Sequence, residues 1–390
     1  MITDICVVGG GSAGLCAAVS AARGGRKVVL IERSDRLGGM GTLARVHTFC
    51  GLYHPDVSKP PMLVNEGLPA EIEQKMRERT GVGPVKMGKV YVLPQDPDIF
   101  REIADELTVA EKNLQVKYRT SCTSISRMED GAFVLETSAG RITCRALVDA
   151  SADAIVADFL GATRLAEKPE KTQSSAFIFS LRNVAPAAGE DAFRMRLALA
   201  IVRAVKAGEL PETAMGTASR NSAVAGEIYF TTDLKPGGRS DLMATGKAFA
   251  EALSEFLREH FTEFASADGP FPAAEPGVRE SWRWLGKYVL TEADLIDGRE
   301  FPDTVAMAAW PIELRETTHG AKFRFFKRAE PSAIPRSCLE SAEIEGVFFA
   351  GRCISASHEA LASVRVMGTC FATGQAAGRL AVEYLRGPKF

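Results

Sequence analysis

Hydrophobic and polar positions along the chain follow two rhythms, and each predicts its own kind of element. "DICVV" (Asp4–Val8) is a short unbroken apolar run, as expected of a strand buried on both faces. "GGGSAG" follows at once, then "LCAAVSAARGG", a small-residue helical stretch that Gly24 and Gly25 close. "KVVLIE" reads as the next strand, so the opening is one βαβ unit. Further on, Asn113–Asp153 ("NLQVKYRTSCTSISRMEDGAFVLETSAGRITCRALVDASAD") predicts a strand, a three-stranded meander turning at Gly131 and Gly140, and an apolar strand. The rhythm then lengthens into helices, as in "DAFRMRLALAIVRAVKAGEL" and "DLMATGKAFAEALSEFLREHFTEF", with strand-like "SSAFIFSLRNV" and "GEIYFTT" beside them. Near the end "GVFFAGR" predicts a strand, and "VMGTCFATGQAAGRLAVEYL" a long helix.

The first turn carries the clearest chemistry. Gly9, Gly11 and Gly14 occupy the GxGxxG positions, and Glu32 lies 18 residues after Gly14. The first glycine permits the turn, the second lets backbone approach a pyrophosphate, and the third lets helix and strand pack closely. The helix N-terminus, beginning at Ser12 and Ala13, offers free N–H groups to phosphate, and a carboxylate at Glu32 suits ribose hydroxyls. No second GxGxxG follows, so a built-in nicotinamide domain is not expected.

Composition narrows the classes. The chain has 390 residues, enough for two domains, and its 47 basic and 49 acidic side chains leave a net charge of −2. Nothing in that balance calls for nucleic acid. The absence of a long uninterrupted apolar run predicts no transmembrane helix, and Asp4 with Gly9–Gly11 argues against reading the start as a signal peptide. The eight cysteines form no CxxC pair, so a metal site is not expected, and reduced thiols in a cytoplasmic protein are the simplest reading.

Past Glu32 and Arg33, "ERSDRLGGMGT" brings Gly38, Gly39, Met40 and Thr42 close behind the acid. This arrangement resembles FAD enzymes built like glutathione reductase. "GGMGT", "RESWRWLGKYVLTEADLIDG" and "AGRCISASHEALASVRVMGTCFATGQAAG" together resemble the FAD-dependent oxidoreductase family, at both ends of the chain and near Arg279–Gly298. The resemblance implies an α/β fold: a Rossmann-like FAD-binding domain of the glutathione-reductase type, parallel sheet plus β-meander, with an inserted α+β substrate domain. The expected pieces are FAD-binding segments at 1–60, 96–160 and 336–390, a lid or substrate segment at 61–95, and a substrate domain at 161–335. It further implies adenine contacts beside Cys122, a turn at Ala150 in "DASAD" with Ala152 where glycine is usual, ribitol contacts at Gly351 and Arg352, and a helix start at Gly368 and Thr369 facing the flavin.

Candidate chemistry follows from where the resemblance puts the flavin. "GGMGTLARVHTFCG" carries a single cysteine, Cys50, so the disulfide-reductase mechanism is excluded by residue count. His47 remains as an acid/base candidate or a point of covalent flavin attachment, with packing as the plain alternative. His358 and Arg365 lie in the loop before the last helix, where fumarate reductases bind a substrate carboxylate with a His and an Arg. Arg279 and Arg283 share a face if their segment is helical, and they and Tyr288 are substrate-binding candidates. Glu313 and His319 read as surface groups. The expected activity is hydride transfer between a small molecule, anionic on this reading, and flavin N5, with an external electron donor or acceptor. A monooxygenase or oxidase, and a flavin-carrying electron-transfer subunit, are the alternatives.

Overall fold

A computed structural model describes residues 1–387 except 223, 318 and 319. Strands expected in the first 150 residues, joined by one from the carboxy-terminal end, form one parallel sheet. Its strands are β1 (Ile5–Val8), β2 (Val28–Ile31), β3 (Leu114–Lys117), β4 (Ala146–Asp149) and β5 (Val347–Phe349), in the spatial order β5-β4-β1-β2-β3. Ile5 pairs with Val28 on one side and Ala146 on the other, and β1, β2, β4 and β5 are buried at every residue. That burial explains their unbroken apolar sequences. The meander Cys122–Arg127, Phe133–Thr137 and Ile142–Cys144 gives Ile125, Phe133, Leu135 and Ile142 to the same core.

Helix α1 (Ser12–Arg23) leaves β1 and packs along α2 (Met367–Arg386), the last helix. The approach needs small residues. A Cβ at Gly374 would stand 2.1 Å from the Ala13 carbonyl oxygen, and one at Gly378 would stand 2.3 Å from that of Ala17. The chain's two ends are thereby joined at the turn after β1. The helix Leu68–Thr80, expected as part of a lid, instead packs on α2 and on the helix Pro97–Val109. Gly67 sits against the Gln375 side chain, whose Oε1 accepts from the Leu68 N–H at 2.7 Å.

A second core is built on an antiparallel sheet in the order Ala218–Asn221, Ile228–Leu234, Ser175–Arg182, Asp268–Pro272. The helices Asp191–Ala207 and Arg239–His260 supply Phe193, Leu197, Phe249 and Leu253 to it, against Phe177, Phe179, Phe230 and Phe264. Trp284, Leu290, Leu295 and Ile334 belong to the first core instead. Among the described residues no helix is long and apolar enough to cross a membrane.

Candidate active site

The turn after β1 is shaped by three different steric demands. Gly9 has φ +98°, and a Cβ there would meet the Ala150 carbonyl oxygen at 2.6 Å. At Gly14 a Cβ would lie 1.7 Å from the Gly9 oxygen, so that glycine fixes helix against strand. Gly11 is different: a Cβ would project into open space, with only the Gly39 Cα near, at 3.8 Å. Glycine there keeps a concavity open rather than relieving a clash. Gly11 is also the N-cap of α1 and brings no side chain to the helix's free N–H groups, which is the arrangement that receives an anion. Glu32, buried at the end of β2, accepts from Gly10 N at 2.7 Å and Ser34 N at 2.8 Å, so its carboxylate is held in place at the cavity wall.

From this turn a continuous cavity of about 810 Å³ runs in two directions. One arm passes Glu32 and Arg33 to Ser121 and Cys122; the other passes Gly39, Met40 and Gly351 to the start of α2. Arg352 lines it with its guanidinium fixed by Ser281 Oγ at 2.6 Å and Asp153 Oδ1 at 2.7 Å. Ala152, where the sequence departs from glycine, takes φ +70°, so the alanine adopts the left-handed turn that glycine would adopt without strain. A long cradle with an open glycine, two uncapped helix N-termini at α1 and α2, and a fixed acid in its wall is a shape that can hold an extended dinucleotide.

Beyond the start of α2 the walls change. His47 lies flat against Tyr229, with ring centroids 4.7 Å apart, and its Nδ1 is 3.3 Å from the Arg45 carbonyl oxygen. Burial pushes its pKa down to about 4, the Arg45 carbonyl opposing and the Arg220 and Arg45 charges assisting. With the proton on Nδ1, Nε2 is the free acceptor. Arg220, Arg279, Arg315 and Arg365 line the same region, with Glu313 among them. Asp233, wholly buried, pairs with Arg279 and Arg315 at 2.7 Å each. Glu313 pairs with Arg315 at 2.8 Å and accepts from Trp310 Nε1 at 2.9 Å. Burial alone would raise the Glu313 carboxyl, but the Arg315 and Arg365 guanidiniums hold it below the ordinary value. Burial pushes Arg365 down to about 10, with Glu313 opposing. The half-buried Cys50 thiol is pushed up to about 12, chiefly by desolvation with the Glu313 charge assisting, and stays protonated.

A comparison with known protein families matches residues 4–388 to the FAD dependent oxidoreductase family. The chain belongs to that family. Its cofactor is FAD, and its open glycine cradle is of the form this cofactor needs. Solved structures with a similar fold are distant in sequence. The Diels-Alderase PyrE3 of pyrroindomycin biosynthesis matches at 12% identity and TM-score 0.50, over 98% of this chain and 66% of that one. PqsL of P. aeruginosa, solved with 2-aminobenzoylacetate, matches at 14% identity and TM-score 0.47, over 99% and 88%. A geranylgeranyl bacteriochlorophyll reductase-like protein of Thermoplasma acidophilum matches at 12% identity and TM-score 0.47, over 99% and 79%. At 12% identity the likeness to PyrE3 is one of fold.

In this FAD-dependent oxidoreductase the cavity gathers Gly9, Gly11, Ser12, Ala13, Glu32, Arg33, Gly39, Met40, Cys122 and Ala150 from the amino-terminal half, and Gly351 and Arg352 from the other. Gly14, Thr42, Gly368 and Thr369 stand behind its wall. Thr42 Oγ1 donates to the Leu37 carbonyl at 2.7 Å, and Gly368 backs onto the Cys50 carbonyl, where a Cβ would come within 2.7 Å. His47, Arg279 and Arg365 meet at the cavity, but Arg283, Tyr288 and His358 lie elsewhere. The segment before Arg283 is not helical, so the shared helix face is absent. Instead the buried Glu280 accepts from Arg283 Nη1 at 2.6 Å and lies 2.9 Å from His358 Nδ1. Burial would lower the His358 pKa, yet its bond to Glu280 raises it, and this His–carboxylate pair is a structural contact away from the cavity. Tyr288 donates to Asp294, in a separate cluster with Arg299. Glu313, expected at the surface, is a cavity group, and His319 lies outside the described residues. Sequence reasoning missed Arg220, Asp233 and Arg315. One signal was available: Glu313 and Arg315 are two apart in the strand-like "WPIELRE", a spacing that puts both on one face.

Proposed function

We propose that this flavoprotein transfers hydride between a carbon of a small molecule and the flavin, with the substrate seated between His47 and the arginines. FAD supplies the hydride acceptor or donor. The chain supplies position and proton handling. Arg45 fixes the His47 tautomer through its carbonyl, and stacking on Tyr229 fixes the ring plane, leaving Nε2 to take a proton from substrate. The uncapped start of α2 brings a positive helix end to the cavity at Val366 and Met367. Arg279, held by Asp233, and Arg365 orient the substrate. Cys50 has no partner thiol and stays protonated, which argues against dithiol chemistry.

The observation that carries this reading is that the glycine cradle, neutral His47 and Arg365 line one continuous cavity. An external donor or acceptor closes the cycle, and eight unpaired cysteines support a reducing, cytoplasmic setting. The test is anaerobic titration of purified, FAD-loaded protein with candidate substrates, watching the visible flavin band. Bleaching that His47→Asn slows supports the proposal. Substrate turnover that requires both oxygen and a nicotinamide donor would replace it with a monooxygenase, and peroxide release without a donor would replace it with an oxidase.

A further inference from the structure

We propose that the substrate carries an aromatic ring, held at the cavity mouth between Phe323 and Phe325 on one side and Met87 and Val90 on the other. This rests on the cavity being the substrate site of the oxidoreductase proposed above, and concerns the part of the substrate away from the reacting carbon. Two antiparallel hairpins from distant parts of the chain flank the mouth. In one of them Ile312–Leu314 pairs with Lys322–Arg324, and Glu313 stands directly opposite Phe323. Every second residue along these strands and their flanks then shares a face. The cavity lining follows that period, with Pro311, Glu313 and Arg315 from one side of the hairpin and Ala321, Phe323 and Phe325 from the other. At the alternate positions Ile312 and Leu314 are buried in the first core, which fixes the face that turns to the cavity. A strand face turned away from the core is ordinarily polar. Glu313 and Arg315 follow that rule and pair at 2.8 Å, but Phe323 and Phe325 break it, being 48% and 43% exposed.

In the second hairpin Val85–Met87 pairs with Val90–Pro94, and Met87 stands opposite Val90 across the turn at Gly88 and Lys89. Met87, 37% exposed, and the half-buried Val90 both line the cavity. The Lys89 ammonium lies over the Phe325 ring, 5.3 Å from its centroid, so the two hairpins meet across the mouth. Three large apolar side chains exposed at the rim of one cavity call for an apolar partner. Val90 packs on the cluster of Val92, Trp310 and Val366, and the last two line the cavity behind it. The apolar rim is thus continuous with the cavity wall, and its occupant is the molecule that enters the cavity. The planes of Phe323 and Phe325 tilt only 25° apart, with centroids at 6.2 Å, so one flat ring can lie against both. The Met87 thioether is a soft, adaptable contact for such a ring.

The experiment is isothermal titration of the FAD-loaded protein with naphthalenemethanol, benzyl alcohol, cyclohexylmethanol and glycerol. The aromatic alcohols are expected to bind about five-fold or more tightly than cyclohexylmethanol, and glycerol not to bind. Phe323→Ser and Phe325→Ser should each weaken the aromatic alcohols about five-fold or more. Leu199→Ser, which removes an exposed apolar side chain that does not line the cavity, should leave their binding unchanged. Flavin absorbance per protein and the thermal midpoint show whether each variant is folded and loaded. Equal binding of benzyl alcohol and cyclohexylmethanol overturns the inference, as do unchanged constants in both folded phenylalanine variants. A sedimenting dimer that these variants split, with ring binding unaltered, also overturns it and gives the patch to a second copy of this chain. Ring binding without any flavin bleaching would sink the proposed reaction and leave this inference standing. Bleaching by a ring-free substrate, unaltered in both variants, would do the reverse.

Discussion

The neutrality of His47 can be tested through stability. Its imidazole is held near 4 against an ordinary value of about 6.5, the main cause being burial beside Arg220 and Arg45. A base whose folded pKa is depressed binds fewer protons folded than unfolded. Stability is therefore complete above about pH 6.5 and is lost as pH falls toward 4. At pH 4.5 linkage gives a loss of about 2.5 kcal/mol. His47 is only half-buried at the cavity wall, and solvent reaching the ring screens part of this, so about 1.5 kcal/mol is a fair minimum. The assay is urea unfolding of wild type and His47→Asn at pH 7.5 and 4.5, with FAD in excess so that cofactor loss does not intrude. Asn keeps a polar side chain but does not titrate. Wild type should lose at least about 1.5 kcal/mol more than the variant between the two conditions. Parallel losses, or an imidazole NMR signal assigned to His47 that titrates near 6.5, would refute the argument and remove the physical basis for a neutral base at the cavity.

Four further outcomes follow from individual contacts. Gly11→Asp should fold normally, because its Cβ meets open space, yet purify colourless because a carboxylate occupies the pyrophosphate cradle; full FAD occupancy would contradict this. Asp233→Asn, which strips the shared carboxylate from Arg279 and Arg315, should cost about 3 kcal/mol or more in chemical unfolding. Gly374→Val forces a side chain against the Ala13 carbonyl and should destabilise by about 1–3 kcal/mol or beyond, seen as a lower thermal midpoint. Ala152→Gly should stabilise by about 1 kcal/mol, since it relieves a left-handed alanine at φ +70°; a lower midpoint would show that the methyl group makes a contact worth more than the strain.

The cofactor half was legible because its signals are local. Strand, glycine turn, helix, strand and Glu32 all fall within 32 residues, and each requirement acts on its near neighbours in sequence. The long last helix announced itself by its period, while the need for Gly374 and Gly378 against α1 emerged only in the structure. The substrate half was not legible in the same way. Arg220, Asp233, Arg279 and Arg365 come from stretches far apart in sequence, and only Glu313 and Arg315 fall within one short window. Arg279 and Arg283 illustrate the point. They are four residues apart and of one type, and what separates a cavity arginine from a structural one is the carboxylate each finds: Asp233, 46 residues upstream, or Glu280, its near neighbour.

That distinction also says how the two halves of the site are tied. Glu280 holds Arg283 and His358, and through its other oxygen accepts from the Gln173 backbone N–H at 3.2 Å. The Gln173 side chain in turn accepts from Arg365, two residues before α2 begins. A run of bonds therefore leads from a buried ion pair to the arginine beside the start of α2. His358 belongs to this support, its Nδ1 lying 2.9 Å from Glu280 Oε2, and that bond raises its pKa. The consequence is that His358 should matter for where Arg365 sits, and His47 for proton movement, although the sequence offers the two histidines as equals.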